Sequence, residues 1–324
     1  MTASVTPIAT LFERAVLIAN PAAAGVSRDV VDAIIERLHP AVSHIETVCT
    51  AQRGAGVDAA RDLADAEVDL IVAVGGDGTV REVAEGMARS AVRPGGRAGP
   101  ALLALPAGSG NSTCRNLWGE LEWAEVLDRA LDPGRSVTRW LDLIHLVEPD
   151  VDVLLGASSG FLAEVLIGAR QITGLAGRDR YYAAAAGVLA DMPAHPTRVI
   201  VDGDVIHDGP ASLAAVGGGR FRAYAFQFLP RSLLDDGELD VCVIDHLAGS
   251  TVSEVADLVP SGRHLARPEV TYRRGRRITI ERTDGQPLVA EFDGEVWSDA
   301  GPALTLEILP GAVPALAGLD CPSN

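Results

Sequence analysis

The sequence predicts an α/β protein with a doubly wound parallel sheet in its first part and a mostly antiparallel β-sandwich in its second part. Strands that are apolar throughout alternate with helix-type patterns over the first 140 or so residues. Such strands are typical of a parallel sheet that is covered on both faces. After about Arg139, short strand-like segments separated by turn signals dominate, which favours a sandwich. We therefore divide the chain into residues 1–140, residues 141–309 and a tail, 310–324, that we expect to pack back on the first domain.

The elements of the first domain follow a βαβα order. Val30, Ile34, Ile35 and Leu38 recur at helical spacing and predict one buried helix face. The predicted strands are 15–19, 44–48, 68–74 and 101–105, and the predicted helices are 30–38, 59–66 and a segment after Thr79.

The second domain is predicted from turn signals such as Asp202-Gly203-Asp204, Asp236-Gly237 and Asp293-Gly294. One helical insertion, about 161–192, interrupts a series of strands. The predicted strands are 140–147, 153–157, 198–201, 212–216, 239–244, 277–281, 288–292 and 304–309.

Composition excludes several classes of function. The net charge of −17 argues against general nucleic-acid binding, which needs a basic surface. All 27 basic residues are arginine, so neither a P-loop lysine nor a Schiff-base lysine exists. A phosphate site in this chain must use backbone N–H groups, arginine and metal.

Cysteine usage and apolar patterning bear on location. The four cysteines, at 49, 114, 242 and 321, form no CxxC pair, which argues against a zinc site and a disulfide framework. The first residues, Met1 to Glu13, show no signal-peptide pattern, and no stretch of 18 apolar residues occurs. We expect a cytoplasmic protein without a transmembrane segment.

A glycine-rich turn is the strongest local signal of function. The apolar run 68–74 leads directly into Gly75-Gly76-Asp77-Gly78-Thr79, after which a helix pattern begins. Glycines let backbone N–H groups approach phosphate oxygens, and a helix N-terminus adds a favourable field. The Asp77 carboxylate would repel phosphate, so its presence suggests a divalent cation between the two. A tight βα turn without a ligand is the alternative.

Two further loops follow predicted strands and should lie at the same edge of the sheet. They are 20–25, which begins Asn20-Pro21, and 106–111, which ends Ser109-Gly110-Asn111. Ligands of parallel sheets bind at the carboxyl ends of the strands. We expect the three loops together to form a binding site in the cleft between the two domains.

Four motifs in this order carry a family resemblance. They are GGDGT at 75–79, PAGSGN at 106–111, Asp235-Asp236-Gly237-x-Leu239-x-Val241, and Asp293-Gly294-Glu295. Together, over about residues 14–317, they resemble the diacylglycerol kinase and sphingosine kinase family of lipid kinases. The resemblance implies ATP and Mg²⁺ as cofactors, with a nucleotide-binding first domain and a lipid-acceptor second domain.

The resemblance also implies roles for particular residues. Glu295 would be the base that takes the proton of a lipid hydroxyl, and Asp77 would assist catalysis; an ordinary Asp-Gly hairpin turn is the alternative for 293–295. Asn111 could instead cap the following helix, and Thr50 could be a strand-end hydroxyl. Nucleotide contacts are implied for Asn20, Pro21, Thr50, Gly75, Gly76, Gly78, Thr79, Glu82, Gly108, Ser109 and Asn111.

A structural cation site is implied for Asp236 and Asp142. Magnesium and water between these carboxylates would bring the domains into register. The alternative is two surface turns with solvated charges.

The chain departs from the family pattern at three places. Ser112 stands where diacylglycerol-type members have aspartate. In the opening loop 20–25 alanine replaces the polar position and the glycine is displaced by one, and 220–226 is bulkier than the usual glycine-rich run. These changes leave the identity of the lipid open.

The sequence therefore predicts an ATP-dependent lipid kinase acting on a diacylglycerol-like or sphingoid hydroxyl presented at a membrane surface. A transient membrane contact is expected, and homodimerisation is left open. An NAD kinase-like enzyme and a catalytically silent nucleotide-binding regulatory protein of the same fold remain alternatives.

Overall fold

The computed structural model describes residues 11–90, 99–175, 177–222 and 226–321. The residues before Leu11, on which part of the expectation of no signal peptide rests, lie outside this description, as do the last three residues of the tail. The described chain divides into two compact units. The first contains the residues up to Trp140 together with Val313–Cys321, and the second contains Leu141–Ala312.

The first unit is a parallel sheet, as predicted. The strands run in the spatial order β4-β3-β1-β2, and residue Ala315 near the end of the last strand, β15, pairs in parallel with Leu102 of β4. Strand β3 is buried at every position, which explains its uniformly apolar sequence. The strands are β1 (Phe12–Ala19), β2 (Val42–Cys49), β3 (Leu70–Gly75) and β4 (Ala101–Pro106).

In the first unit α1 packs against α5, and α3 packs against both α2 and α4. Helix α1 begins where the Ser27 hydroxyl accepts a hydrogen bond from the Val30 N–H at 3.2 Å, and it buries Ile34 and Leu38, as its periodicity predicts. The helices are α1 (Arg28–Leu38), α2 (Ala55–Ala64), α3 (Asp77–Ala88), α4 (Ser112–Trp118) and α5 (Trp123–Ala130).

The second unit is mostly antiparallel. Strand β9 holds several strands of this unit together, because it pairs with β8, β7 and β10 along its length. The strands are β5 (Ser136–Leu146), β6 (Val151–Val153), β7 (Ala157–Gly160), β8 (His195–Val201), β9 (Asp204–Gly217), β10 (Leu239–Asp245), β11 (Val270–Gly275), β12 (Arg277–Arg282), β13 (Ala290–Phe292), β14 (Glu295–Trp297) and β15 (Ala303–Gly318). The first five residues of β5 and the last six of β15 belong to the first unit.

Two hydrophobic cores lie on opposite faces of β10. Val241 and Val243 point into a core between strands, whereas Cys242 and Ile244 point into a core against helices. Successive side chains of a strand face opposite sides, so the central residues of a strand covered on both sides are apolar, as Val241 to Ile244 are. The helices are α6 (Phe161–Gln171), α7 (Gly177–Asp191) and α8 (Ser250–Ala256), followed by two short 3₁₀ turns, Val259–Ser261 and Arg263–Ala266. The predicted helical insertion 161–192 is therefore two helices.

The predicted strand 153–157 is wrong. Strand β6 ends at Val153 and β7 begins at Ala157. Between them the N–H groups of Leu154, Leu155 and Gly156 all donate to the Asp293 carboxylate at 2.9–3.0 Å. These N–H groups therefore bond to the Asp293 side chain, which is distant in sequence, and not to a neighbouring strand.

Candidate functional site

The three glycine-containing loops of the first unit meet at the carboxyl ends of β1, β3 and β4, as predicted. The Gly25 N–H donates to the Ala107 carbonyl, and the Ala107 N–H donates to the Gly75 carbonyl, both at 3.0 Å. Gly76 and Gly108 touch backbone to backbone, because a Cβ placed on Gly108 would lie 3.0 Å from the Gly76 nitrogen and closer still to its Cα. The glycines are needed for this approach of two main chains.

The N-terminus of α3 opens into these loops. Gly76 is its N-cap residue and has no side chain with which to cap the helix. Thr79, in the first turn, is buried, and its hydroxyl accepts a hydrogen bond from the Asn20 side-chain amide at 3.3 Å. Asn20 in turn accepts from the Ala22 N–H at 2.9 Å. An uncapped helix N-terminus leaves N–H groups for an outside acceptor, which suits an anion.

Asp77 has a structural role that the sequence did not indicate. Its two carboxylate oxygens accept hydrogen bonds from the N–H groups of Ser112 at 3.0 Å and Thr113 at 2.8 Å, at the start of α4. The carboxylate therefore holds α4 to the glycine-rich turn. Its predicted contact with a divalent cation stays a prediction.

The capping interpretation of Asn111 is wrong. Asn111 occupies the N-cap position of α4 in a left-handed conformation, with φ at +52°, but its side chain makes no capping bond. It instead closes its own loop, accepting from the Gly108 N–H at 2.8 Å and donating to the Gly108 carbonyl at 2.9 Å. The acceptor for the first N–H groups of α4 is Asp77, the first residue of α3.

The family resemblance would place Glu82 in support of the glycine-rich turn from α3, but in the structure its side chain reaches the start of α2. Its carboxylate accepts from the N–H groups of Gly54 at 2.8 Å and Gly56 at 3.0 Å, at the start of α2. Thr50 is buried one residue beyond β2, and its N–H donates to the Ala19 carbonyl at 2.9 Å. Of the other predicted contact residues, Pro21 and Ser109 are exposed and Gly78 is half-buried.

Glu295 lies in the second unit, at the first position of β14, and is half-buried. The two residues before it, Asp293 and Gly294, form the turn between β13 and β14 with φ of +45° and +83°. Positive φ at both central residues is the geometry that favours Asp-Gly in a two-residue hairpin. The turn is real, so the proposed catalytic role of Glu295 is additional to it.

Asp142 and Asp236 lie at one place in the second unit, and neither belongs to a solvated turn, so the surface-turn alternative is wrong. Asp142 is 5% exposed, and its oxygens accept from the N–H groups of Gly237 and Gly311, both at 2.7 Å. Burial raises the pKa of Asp142, and the negative charge of Asp236 adds to the effect. Asp236 pairs with Arg274, which also contacts Glu238 at 2.9 Å and Asp240 at 3.4 Å.

This donor set does not fit a structural cation. The Asp142 and Asp236 oxygens already accept from backbone N–H groups and from Arg274. Within the described residues, no three or more His, Cys, Asp or Glu side chains form a group that could hold a metal ion. The guanidinium of Arg274 supplies the positive charge here. The donors present therefore do not support the magnesium that the family resemblance implies between Asp142 and Asp236.

An apolar cavity of about 40 Å³ lies in the second unit between the helices and the sheet. Apolar side chains line it, among them Phe161, Leu189, Phe226, Phe228, Ile244 and Val255. The ring centroids of Phe226 and Phe228 are 5.9 Å apart, and those of Phe161 and Phe228 are 6.2 Å apart. No pattern in the sequence located this cavity, because its lining comes from segments that are far apart in the chain.

Family comparisons agree with this architecture. Residues 14–140 match the family described as diacylglycerol kinase catalytic domain. Residues 156–317 match the family described as YegS C-terminal NAD kinase beta sandwich-like domain. The chain belongs to this diacylglycerol kinase and YegS-like family, which confirms the resemblance that the four motifs predict.

Individual relatives share most of the chain. A protein of Stenotrophomonas maltophilia named "Probable lipid kinase YegS-like" is 28% identical over 82% of this chain and 85% of its own length. A "Diacylglycerol kinase" of Staphylococcus epidermidis is 27% identical over 87% of this chain and 86% of its own length. A crystal structure of a diacylglycerol kinase from Bacillus anthracis shares the fold, with a TM-score of 0.71, 21% identity, and coverage of 96% of this chain and 99% of that one.

Among the helices that the structure describes, none combines the length and the apolar character needed to cross a bilayer.

Proposed function

We propose that this protein is an ATP-dependent lipid kinase that transfers the γ-phosphoryl group to a lipid hydroxyl. The observation that carries the proposal is the uncapped N-terminus of α3 between two glycine loops in contact, in a chain of this family. The N–H groups there suit the phosphate oxygens of a nucleotide, and no lysine is available to do so. Magnesium, which accompanies a triphosphate as its counter-ion, belongs to the substrate in this proposal.

The apolar cavity supports a lipid as the acceptor. Its lining offers an aliphatic chain dispersion contacts and gives a polar acceptor no partner. At about 40 Å³ it accepts only part of a chain unless side chains move. Diacylglycerol-like and sphingoid acceptors both carry such chains, so the cavity does not choose between them.

Glu295 is the proposed base. As the lipid oxygen attacks the γ-phosphorus, the hydroxyl proton passes to the Glu295 carboxylate, and the phosphorus–oxygen bond to the ADP leaving group breaks. A positioned carboxylate contributes about 10²–10⁴-fold in such a step. Positioning and charge stabilisation by the loop N–H groups supply the rest.

The test is incubation of the purified protein with radiolabelled ATP, Mg²⁺ and vesicles that contain either diacylglycerol or a sphingoid base. We expect label in one lipid product, its loss in Glu295→Gln, and its retention in Asp299→Asn, a change to an exposed carboxylate four residues further on. ATP binding without any labelled lipid would refute the kinase and favour a silent regulatory protein. Label in NAD, added to a parallel sample, would favour the NAD kinase alternative.

A further inference from the structure

Asp293 attaches the hairpin that carries Glu295 to the rest of its unit through hydrogen bonds. The Asp293 carboxylate accepts from three consecutive N–H groups, those of residues 154–156, at 2.9–3.0 Å. Its own N–H donates to the Gly156 carbonyl at 3.0 Å. Asp293 is 9% exposed, so these bonds form away from bulk water. One end of the two-residue turn is therefore fixed.

Glu291 pins the other end of the same turn. One of its carboxylate oxygens accepts from the Gly294 N–H at 3.0 Å, directly before Glu295. The other accepts from the Ser158 hydroxyl at 2.6 Å and from Arg222 at 2.6 Å. Glu291 is 3% exposed. A buried carboxylate with these partners cannot swing away without losing a charge-assisted hydrogen bond.

Arg222 is the counter-charge of Glu291 and is itself held by the backbone. It is 4% exposed, and its guanidinium donates to the carbonyls of Gly156, Ala157 and Val216 at 3.1–3.2 Å. Arg222 belongs to the segment 220–226 that departs from the family's glycine-rich run; residues 223–225 of it lie outside the described residues. The sequence suggests a bulkier surface there, but the arginine points inward.

We infer that the buried pair Arg222–Glu291 is a positioning device for Glu295 in phosphoryl transfer. The inference rests on the proposed function. Arg222 fixes the Glu291 carboxylate, and Glu291 fixes the Gly294 N–H. The direction in which Glu295, the next residue, projects therefore depends on the pair. Both are positioning residues, since neither is placed against the reacting atoms.

A purely structural role for the pair makes a different prediction. Removing one partner leaves a buried charge without a counter-charge, which destabilises the unit whatever the pair does for Glu295. Replacing both with apolar residues of similar volume removes the penalty of an unpaired charge and leaves only neutral partners without their hydrogen bond, among them the Ser158 hydroxyl and the carbonyls that Arg222 contacts. The double variant Arg222→Met/Glu291→Met therefore separates folding from positioning.

The experiment compares this double variant with wild type and with a control, Arg282→Met/Asp284→Met. The control pair belongs to the same unit, at 2.6 Å, and its other bonds go to His195 and the Gln286 N–H instead of to the hairpin. Three quantities are measured: the thermal midpoint, amide hydrogen exchange over 293–297, and kcat and KM for ATP with the lipid that wild type phosphorylates.

For the double variant we expect a folded protein with an unchanged KM for ATP, and a thermal midpoint somewhat below that of wild type because the neutral partners of the pair lose hydrogen bonds. We expect kcat to fall about 10–100-fold, as is typical when a catalytic group is misplaced by about 1 Å. Exchange over 293–297 should rise about 10-fold or more, the factor that one hydrogen bond to a charged group provides. The control should keep wild-type kcat and wild-type exchange in this segment.

Wild-type kcat together with wild-type exchange in a folded double variant would overturn the inference. So would a variant whose losses are fully explained by a lower thermal midpoint. If wild type phosphorylates no lipid, the proposed function fails, and the exchange measurement still decides whether the pair holds the hairpin.

Discussion

Alanine at position 108 tests how the two glycine loops form the nucleotide site. The added Cβ would lie 3.0 Å from the Gly76 nitrogen, whereas ordinary van der Waals contact begins at 3.4 Å. The atoms that it meets are backbone, so no side-chain rotation relieves the clash. The loops must separate by several tenths of an ångström or more, and overpacking of this kind costs about 1–3 kcal/mol.

Two measurements follow from this geometry. The free energy of unfolding of Gly108→Ala, from a denaturant titration, should fall by about 1–3 kcal/mol. ATP affinity from calorimetric titration should fall about 10-fold or more, since about 1.4 kcal/mol corresponds to a factor of 10. The loops must reclose around the ligand against the same strain.

Gly187→Ala is the matched control. Gly187 lies within α7 of the other unit, and a Cβ there meets nothing within 4 Å. This change should raise the free energy of unfolding by up to about 1 kcal/mol through helix propensity and leave ATP affinity unchanged. The reasoning is refuted if Gly108→Ala binds ATP as wild type does and unfolds at the same denaturant concentration.

Three further predictions follow from single contacts. Asp77→Asn removes one of the two acceptors at the start of α4 and should lower the free energy of unfolding by about 1–2 kcal/mol, with and without nucleotide. An equal loss in Ser90→Ala, which removes an exposed hydrogen bond to Asp65, would contradict this prediction. Burial lowers the pKa of His264, so the free energy of unfolding should fall as pH drops below about 6.5, by up to about 1.4 kcal/mol per pH unit. His264→Phe should flatten this pH dependence, whereas His44→Phe, at an exposed site, should not. A wild-type slope that persists in His264→Phe would argue against the prediction. Chelation of divalent cations should leave the thermal midpoint of wild type unchanged, because Arg274 supplies the positive charge beside Asp236 and Asp240. Arg274→Gln should be less stable and should gain stability from added Mg²⁺. A wild-type midpoint that drops on chelation would instead support the cation site at Asp142 and Asp236.

The parallel sheet and its loops were predictable because their signals are local. Strands β1, β3 and β4 contain apolar runs, and each of the three loops carries its glycines or Asn-Pro directly after one of these strands. Parallel strands bring their carboxyl ends to one edge, so the meeting of three loops follows from topology alone. The Asp-Gly hairpin at 293–294 was predictable for the same reason, since two adjacent residues set its φ angles.

The partners of the carboxylates were not predictable in this way. Asp77 holds a helix 35 residues away, Glu82 holds the start of α2, and Asp293 binds amides almost 140 residues earlier. Such a bond depends on where the sheet places two segments, and neither segment contains a pattern that identifies the other. The predicted strand 153–157 failed because this distant carboxylate takes its amides.

Sequence alone determined the fold class and the family, since periodicity, glycine placement and motif order are properties of short segments. Tertiary structure decided which charges are neutralised by protein groups. It buried Arg222 against Glu291, seated Arg274 among three carboxylates, and enclosed an apolar cavity from separate segments. The physical reason is that burial and ion pairing are properties of the packed chain, and packing joins residues that the sequence keeps far apart.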